Sequence, residues 1–474
     1  MNASQLSTLH DDPLGTGGLS AYARRLRAGE ITAEAVTRAY LARIETFDPK
    51  LGAFQHVAAD RALRQAQAVD ALLAAGVDLG PLMGVPVAVK DLFAITGLAV
   101  TAGSHMPVED IIGAEGPFVR ALKRAGCVIL GLTKTVECAF GAAGINTVRG
   151  TPWNPWDATV QRLPGGSSSG SAVAVAAGLC AFAIGTDTGG SVRVPAALCG
   201  IFGLKTTVGL WPTEGVFPLS TTLDSIGLLT RDAADAAIAF DALSTAAGEA
   251  AAAPMQGLRL ARLRGYVEQD VDPTVAEAFE TAICRLRAAG VVIEDLELAE
   301  AAERERIVPV VLGTEVLATL GRDRFQAHRA TMDPVVAARI AAALDVSADE
   351  YVSALRRMQA LQEMARARLS GVDGWILPSC AVPALPVERF AAFEDGVQLA
   401  KRVTRCSQPG NIFGLCGFSL PLTAPSALPV GLQVLCAPGL EARALSVARG
   451  MQETVLGRGD RPDTAAFAGG GRDG

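Results

Sequence analysis

The chain has 474 residues, of which 50% are hydrophobic and 19% are charged, and this balance excludes disorder as its main state. The net charge is −7, no run of Lys or Arg stands out, and only 5% of the residues are aromatic, so a surface for nucleic acid is not expected. The longest strongly apolar run, residues 172–184, is shorter than the ~18 residues that indicate a membrane span, and the first residues do not resemble a secretory leader.

The nine cysteines are odd in number and include no CxxC pair. A disulfide framework and a structural zinc site are therefore not expected. A chain that keeps its thiols reduced is typical of the cytoplasm, which is the predicted location.

The first predicted helix begins after Thr32, an N-cap residue, because Val36, Tyr40 and Ile44 recur at helical spacing. A second predicted helix covers residues 61–73. Further on, predicted strands alternate with predicted helices. The strands are residues 85–89, 127–130 and 182–184, and the helices are residues 118–124 and 171–177. This alternation predicts an α/β sheet that is covered by helices on both faces.

The second half of the chain uses the same elements. Residues 258–263 and 291–293 are predicted strands, and helices are predicted to open at Asp272 and Asp333, each followed by proline. Ser347 with Glu350 forms a capping box for another helix. The uncharged, proline-broken stretch 406–440 is interpreted as buried core.

The candidate catalytic residues of the sequence lie in two Gly-Gly-Ser triplets, which end at Ser167 and Ser191. A helix and a short strand fit between them, which places both hydroxyls on neighbouring loops at one edge of the sheet. Glycine lets backbone N–H groups approach a ligand closely, so such a loop beside a serine is able to form an oxyanion hole. Solvated Gly/Ser turns are the alternative, and a phosphate-binding loop is disfavoured because GxxxxGK[ST] is absent.

A nucleophilic serine needs a base, and histidine is poorly supplied. The four histidines are His10, His56, His105 and His328. A lipase-like GxSxG pattern is centred on Ser168, but the histidine that should follow it is available only at His328, among charged residues of a predicted helix. A Ser-His-Asp triad is therefore disfavoured.

Lysine is the other available base, and Lys90 closes the predicted strand 85–89. A lysine in this position either extends into solvent or is buried with a lowered pKa, and the residues alone leave both readings open. At the ordinary pKa of ~10.4 only about one lysine in 2,500 is neutral at pH 7, so a base at this position requires burial.

These residues lie in segments that resemble the amidase signature family. The matching segments are residues 84–91, 164–205, 223–227 and 428–433, within a resemblance that extends over about residues 20–455. The resemblance implies an α/β/α sandwich around a large mixed β-sheet. It also implies a single domain at residues 19–456, with its signature core at about residues 81–235. The polar, glycine-rich composition of residues 1–18 and 457–474 predicts that these ends are flexible.

The resemblance also implies a Ser-Ser-Lys triad. In this triad Ser191 matches the nucleophile, Ser167 the bridging serine that follows a cis peptide bond, and Lys90 the base. The backbone N–H groups of Thr188, Gly189, Gly190 and Ser191 match the oxyanion hole. No metal or organic cofactor is implied.

Other polar residues near the triplets have weaker predicted roles. Ser168 and Ser169 either hydrogen-bond into the relay or form loop turns. Asp187 and Arg193 are expected to brace the nucleophile loop as an ion pair, with binding of a substrate carboxylate by Arg193 as the alternative. Cys199 is interpreted as core. The segment near 417–426 is shorter than in many members of the family, which bears on the substrate pocket.

The predicted activity is hydrolysis of a linear carboxylic amide through an acyl-Ser191 intermediate (EC 3.5.1.-, with 3.5.1.4 expected). The alternatives are a urea- or carbamate-type hydrolase, a glutamine-hydrolysing A subunit of a tRNA-dependent amidotransferase, and a catalytically inactive scaffold. The expected partner is a small-molecule amide, with neither nucleic acid nor membrane, and a homodimer is the oligomeric state considered.

Overall fold

A mixed β-sheet of eleven strands forms the centre of the molecule. In the computed structural model, residues 12–244, 250–423 and 428–468 are described. The strands are β1 (Phe54–Val57), β2 (Pro86–Lys90), β3 (Val128–Thr133), β4 (Phe182–Asp187), β5 (Phe202–Lys205), β6 (Ser225–Thr230), β7 (Arg259–Arg264), β8 (Val292–Glu297), β9 (Gly374–Pro378), β10 (Cys416–Leu422) and β11 (Val430–Cys436). Their order across the sheet is β1-β3-β2-β4-β6-β5-β10-β11-β9-β7-β8.

Helices connect these strands and pack on the sheet. They are α1 (Gly18–Arg27), α2 (Ala33–Leu51), α3 (Ala59–Ala74), α4 (Glu109–Ile112), α5 (Pro117–Arg124), α6 (Ser169–Ala176), α7 (Arg193–Cys199), α8 (Ala233–Leu243), α9 (Pro273–Ala288), α10 (Arg304–Leu320), α11 (Arg322–His328), α12 (Pro334–Ala342), α13 (Ala348–Leu369), α14 (Phe393–Thr404), α15 (Gln408–Ile412) and α16 (Glu441–Met451). Every residue of β2 to β6 and of β9 to β11 is buried, as expected of strands covered on both faces. The predicted α/β/α fold is therefore confirmed.

Strand β2 lies between β3 and β4 and is parallel to both. Because parallel strands point the same way, the carboxyl ends of β2 and β4 meet at one edge of the sheet. Val89 is paired with Ile184, so Lys90 and Thr186 are close neighbours at that edge. The other direct neighbour of β4, β6, is antiparallel to it.

The predicted helix starts are confirmed. The Thr32 hydroxyl accepts a hydrogen bond from the Ala35 N–H at 3.1 Å, and the Asp272 and Asp333 carboxylates cap α9 and α12 in the same way. Ser347 and Glu350 form the predicted capping box. Strands were predicted in the segments that form β2, β3, β4, β7 and β8, although the structure extends β3, β4 and β8 by several residues.

The described parts of the two predicted flexible ends are packed on the domain, which corrects the predicted boundaries. Leu14 is buried, and the Asp12 carboxylate pairs with Arg231 at 3.0 Å. In the tail, Phe467 is buried, with the Lys50 ammonium 4.9 Å from its ring centre. Residues 1–11 and 469–474, and residues 424–427 in the segment predicted to be shortened, lie outside the described residues.

Every helix in the described ranges is too short or too polar to cross a membrane.

Candidate active site

Lys90 lies at the carboxyl end of β2 and is completely buried. Its ammonium Nζ is 2.8 Å from the Ser167 Oγ and 2.8 Å from the Thr186 Oγ1. No carboxylate lies within 4.0 Å of Nζ among the residues that the structure describes. The reading in which Lys90 extends into solvent is therefore wrong, and its amine is held against one serine and one threonine.

Burial lowers the pKa of Lys90 to about 7, because a buried ammonium loses its hydration. The charges of Asp224 and Asp187 act in the opposite direction and stabilise the ammonium. Near neutral pH a substantial fraction of Lys90 is therefore the free amine, which is the form that accepts a proton.

The first Gly-Gly-Ser loop runs directly into α6. The peptide bond between Gly166 and Ser167 is cis, as the resemblance implies. The Ser168 N–H donates to the Ser191 carbonyl oxygen at 3.3 Å, so the two serine loops touch. The Ser168 hydroxyl is buried and donates to the Thr186 carbonyl oxygen at 3.3 Å, and Ser169 donates to the Lys134 carbonyl oxygen at 3.4 Å. A nucleophile elbow at Ser168 is therefore wrong, because its hydroxyl faces a strand.

Ser191 lies between β4 and α7 and is 5% exposed. It lines a cavity of about 310 Å³ together with Gly189 and Gln408. Among the described residues, the Ser191 hydroxyl has no hydrogen-bond partner. The structure thus brings Lys90 and Ser167 into direct contact and leaves the Ser191 hydroxyl available to a molecule in the cavity.

The loop before Ser191 presents three of its four predicted oxyanion donors. Within the described part of the chain, the N–H groups of Thr188, Gly189 and Ser191 have no hydrogen-bond acceptor. The Gly190 N–H instead donates to the Asp187 Oδ1 at 2.8 Å, so its predicted place in the oxyanion hole is corrected. A carboxylate this close takes the N–H away from an incoming oxygen.

Asp187 and Arg193 form the predicted ion pair, and both side chains are fully buried. Burial alone raises the pKa of Asp187, but the charge and hydrogen bonds of Arg193 lower it well below its usual range. All five guanidinium N–H groups of Arg193 are used. They donate to Asp187 at 3.0 Å twice, to Asn411 at 2.7 Å, to Gln433 at 3.0 Å and to the Ser407 carbonyl at 2.8 Å. Arg193 therefore cannot bind a substrate carboxylate, which corrects the alternative reading.

Gly190 explains why the loop needs glycine. Its φ is +113°, and a Cβ at this position would lie 2.2 Å from the Ser407 Oγ. The Ser407 hydroxyl donates to the Gly189 carbonyl oxygen at 3.0 Å and so fixes the loop from the opposite side. A larger residue would therefore displace the loop backbone next to Ser191.

Sequence reasoning missed two polar residues next to Lys90 and the Ser191 loop. Thr186 is one hydrogen-bond partner of Lys90, and Asp224 accepts a hydrogen bond from the Thr188 hydroxyl at 2.6 Å. Burial raises the pKa of Asp224 to about 6. The available signals were the position of Thr186 at the end of a strand parallel to β2 and the Leu223–Gly227 segment that includes Asp224.

The histidines and Cys199, which were the other candidate residues, do not line the cavity beside Ser191 in the described part of the chain. His56 and His105 are exposed, His328 lies at the end of α11, and none of the three lines the cavity. His10 lies outside the described residues. Cys199 is buried, its thiol donates to the Pro164 carbonyl oxygen at 3.3 Å, and burial raises its pKa. No group of three or more His, Cys, Asp or Glu in the described ranges is arranged to hold a metal ion.

The cavity opens next to a second one of about 350 Å³, with which it shares Phe140, Gly141, Ala142, Arg339 and Ala400. The residues around Ser191 are mostly aliphatic, and α10, α12 and α14 supply most of the opposite wall. Of the predicted site residues, Ser191 and Gly189 line this cavity, whereas Lys90 and Ser167, which contact each other, are not among its lining residues.

Comparisons with known proteins agree with this geometry. A family model described as Amidase matches residues 35–445. The chain is 40% identical over 471 residues to a 2-amino-5-chloromuconic acid deaminase of Comamonas testosteroni, which covers 97% of this chain and 98% of that protein. It is 33% identical to the A subunit of a glutamyl-tRNA(Gln) amidotransferase of Moorella thermoacetica, over 92% of this chain and 96% of that protein. A crystal structure of an amidase superposes with a TM-score of 0.84 at 28% identity, covering 92% of this chain and 100% of that one.

Proposed function

Since this chain belongs to the amidase family, it is a hydrolase of amide C–N bonds, and we propose that it cleaves them through an acyl intermediate on Ser191. The observation that carries the proposal is the contact between the buried Lys90 Nζ and the Ser167 Oγ at 2.8 Å. A neutral amine in this position accepts the Ser167 proton while one of its N–H groups donates to the Thr186 hydroxyl.

In the proposed first step, neutral Lys90 takes the proton of Ser167, which in turn takes the proton of Ser191. The Ser191 oxygen attacks the amide carbonyl carbon, and the resulting oxyanion is stabilised by the free N–H groups beside it. The relay then runs in reverse, so that Lys90 returns the proton through Ser167 to the leaving nitrogen. Water, activated by the same relay, cleaves the acyl ester to a carboxylate and regenerates Ser191.

The link from Ser191 to Ser167 is absent from the contacts of the described residues. Catalytic hydrogen bonds of this kind often form only when substrate is bound. The contact between the Ser168 N–H and the Ser191 carbonyl supports the proposal, because it keeps the two loops adjacent while the Ser191 side chain stays free.

The test is a hydrolysis panel of aliphatic amides, aryl amides, glutamine, ureas and carbamates, with wild type compared with Lys90→Met. Methionine replaces the amine with a group of similar length that cannot accept a proton. We expect a fall in kcat of at least about 10²-fold, the lower end of what general-base catalysis supplies. A folded Lys90→Met protein with nearly normal hydrolysis contradicts the proposal. The panel also decides the finer class EC 3.5.1.4 and the urea or carbamate alternative.

Two relatives support different substrates for the proposed Ser191 mechanism. The relationship to amidotransferase A subunits supports glutamine hydrolysis with a partner chain as the second candidate. It predicts glutaminase activity that requires a co-purifying partner. The relationship to an enzyme named for a muconic acid supports instead a small-molecule acid and loss of nitrogen as ammonia, which is measured directly as released ammonia.

We also propose that the enzyme works in the cytoplasm on a small-molecule amide, without nucleic acid or membrane. All nine cysteines are free, and eight of them are buried, which fits a reducing compartment. A homodimer stays a proposal that light scattering decides. An inactive scaffold is disfavoured because Lys90, Ser167 and Ser191 are all present and the Lys90 Nζ lies 2.8 Å from the Ser167 Oγ.

A further inference from the structure

Among the described residues, one side-chain amide lines the cavity beside Ser191, that of Gln408. Gln408 is partly buried and begins α15. Its side chain lies against the nucleophile loop, since a Cβ built on Gly189 would be 3.4 Å from the Gln408 Nε2 and 3.4 Å from its Cγ. The Gln408 amide is therefore next to the backbone that was predicted to form the oxyanion hole.

Both polar atoms of this amide are unused. The Gln408 Oε1 is buried and has no hydrogen-bond partner in the described part of the chain. The Nε2 donates to no acceptor there either. A buried carbonyl oxygen without a partner costs free energy, so such an atom is normally satisfied by the protein or by a bound molecule. Because Gln408 lines the cavity, a molecule that occupies the cavity is able to take up both hydrogen bonds.

The backbone on either side of Gln408 is bound to the nucleophile loop. The Ser407 hydroxyl donates to the Gly189 carbonyl oxygen at 3.0 Å. Three residues after Gln408, the Asn411 Nδ2 donates to the Asp187 Oδ1 at 2.8 Å. The fold thus holds Gln408 in place relative to the loop that ends in the candidate nucleophile.

A side-chain amide is complementary to one edge of a primary carboxamide. Each group presents a carbonyl oxygen and an N–H on the same side, so two amides placed edge to edge form two parallel hydrogen bonds. A secondary amide in its favoured trans form has its substituent, and not its hydrogen, on the side of the carbonyl oxygen. An ester has no N–H at all. Such pairing therefore distinguishes primary amides from both other classes.

We propose that Gln408 pairs in this way with the substrate, so that the enzyme is selective for primary amides. The Gln408 Oε1 accepts the substrate N–H, and its Nε2 donates to the substrate carbonyl oxygen next to Gly189. The inference rests on the proposed function, since it takes Ser191 as the group that attacks the paired carbonyl carbon. The C–N bond then breaks, the nitrogen leaves with the proton from Lys90 as ammonia, and water releases the carboxylate.

The experiment compares three forms of one acyl group. The sets are butyramide, N-methylbutyramide and methyl butyrate; benzamide, N-methylbenzamide and methyl benzoate; and glutamine, N5-methylglutamine and glutamate γ-methyl ester. In at least one set, the wild-type kcat/KM for the primary amide should exceed that for the N-methylamide by about tenfold or more. In Gln408→Met this ratio should fall by about tenfold, because the primary amide loses its acceptor, and the ester should lose less activity than the primary amide.

Gln408→Ala distinguishes recognition from general damage. Removal of the side chain opens the space in which the N-methyl group would meet Oε1, so kcat/KM for the N-methylamide should rise above that of wild type while the primary amide loses activity. A damaged fold would lose activity on every substrate. Gln359→Met is the matched control, because Gln359 is exposed on α13 and does not line the cavity, and its ratios should stay those of wild type.

Labelling of Ser191 by a fluorophosphonate separates this inference from the proposed function. The probe has no N–H group, so Gln408→Met should still be labelled at Ser191. If Ser191 is labelled but no primary amide is preferred to its N-methylamide, or both Gln408 variants keep the wild-type ratio, the amide pairing is wrong and the nucleophile stands. If Ser191 is neither labelled in wild type nor needed for hydrolysis, the proposed function itself fails.

Discussion

At the scale of single residues, the protonation state of Lys90 decides whether the relay runs. With a pKa of about 7, roughly half of the Lys90 side chains are neutral at pH 7, compared with about one in 2,500 for an ordinary lysine. In the proposed relay the neutral amine is the base, so kcat/KM should rise about tenfold per pH unit on the acid side and level off above pH ~8. A rate profile between pH 5 and 9 measures this. A profile that falls as the pH rises through 7 contradicts Lys90 as the base.

The charge of Asp224 affects the pKa of Lys90. The ionised carboxylate stabilises the Lys90 ammonium and thereby raises the pKa of Lys90, against the larger effect of burial. Asp224→Asn removes that charge, so the acid limb of the kcat/KM profile should move to lower pH. Asp345→Asn, which changes an exposed carboxylate in the turn after α12, is the control and should leave the limb in place. If the acid limb of Asp224→Asn stays in place or moves to higher pH, the charge of Asp224 does not raise the pKa of Lys90.

Ser191 and Ser168 are distinguished by covalent labelling. The Ser191 hydroxyl lines the cavity without a partner among the described residues, whereas the Ser168 hydroxyl is bonded to the backbone of Thr186. We expect a fluorophosphonate to label Ser191, and Ser191→Ala to lose both the label and turnover. Ser168→Ala should keep the label on Ser191, as peptide mass analysis would show. A label on Ser168 in the wild-type enzyme restores the elbow reading.

The candidate catalytic residues were predictable to different degrees for physical reasons. Ser167 and Ser191 stand out because each ends a Gly-Gly-Ser triplet, whereas the residues alone left Lys90 either exposed or buried, and only the family resemblance assigned it as the base. Thr186 did not stand out, since an isolated threonine at a strand end is common and its role depends on which strand lies beside it. The loss of the Gly190 N–H to Asp187 depends on backbone geometry that no residue pattern specifies.

At the scale of elements, the strands that were predicted are those with continuous apolar runs next to turn residues. The antiparallel strands β6, β10 and β11 were missed as strands, and the last two lie in the uncharged stretch interpreted only as core. They are buried on both faces, so the alternation that identifies a half-exposed strand is absent. Strand order was not predictable, because pairing such as β5 with β10 joins segments more than 200 residues apart.

The Asp187–Arg193 pair joins four elements around the nucleophile loop. Asp187 ends β4, Arg193 begins α7, and the guanidinium also binds Asn411 of α15 and Gln433 of β11. Arg193→Met leaves Asp187 buried without its cation, and loss of one partner of such a pair costs about 3–5 kcal/mol of unfolding free energy. Arg193→Lys should also destabilise strongly, because one ammonium cannot replace five N–H groups.

Urea unfolding measures both variants of Arg193, with Arg38→Met as the control. Arg38 forms an exposed pair with Glu34 on α2, and such pairs contribute about 0.3–0.5 kcal/mol. If Arg193→Met unfolds at the same urea concentration as Arg38→Met, the pair does not brace the loop.

At the scale of the whole molecule, one carboxylate holds both ends of the described chain on the sheet domain. Asp12 accepts hydrogen bonds from the Leu14 N–H at 2.9 Å and the Tyr40 hydroxyl at 2.8 Å. It also pairs with Arg231 at 3.0 Å and with Arg461 of the tail at 3.1 Å. Flexible ends were predicted from polar, glycine-rich composition, which does not reveal a tertiary ion-pair partner more than 200 residues away.

Asp12→Asn should therefore destabilise the whole domain, by about 1–3 kcal/mol, because Arg231 loses one of its two carboxylates. Burial alone raises the pKa of Asp12, but the charges of Arg231 and Arg461 lower it below 3.8. A carboxyl with a lowered pKa stabilises the fold above the pKa of the unfolded chain and loses that contribution as the pH falls through its folded pKa. The difference in thermal stability between wild type and Asp12→Asn should be constant from about pH 5 to 8 and shrink below pH ~4. Asp463→Asn should show little difference at any pH, because among the described residues this tail carboxylate accepts a hydrogen bond only from the Ala465 N–H. If the difference in thermal stability between wild type and Asp12→Asn grows as the pH falls, Asp12 is not an anion in the folded protein.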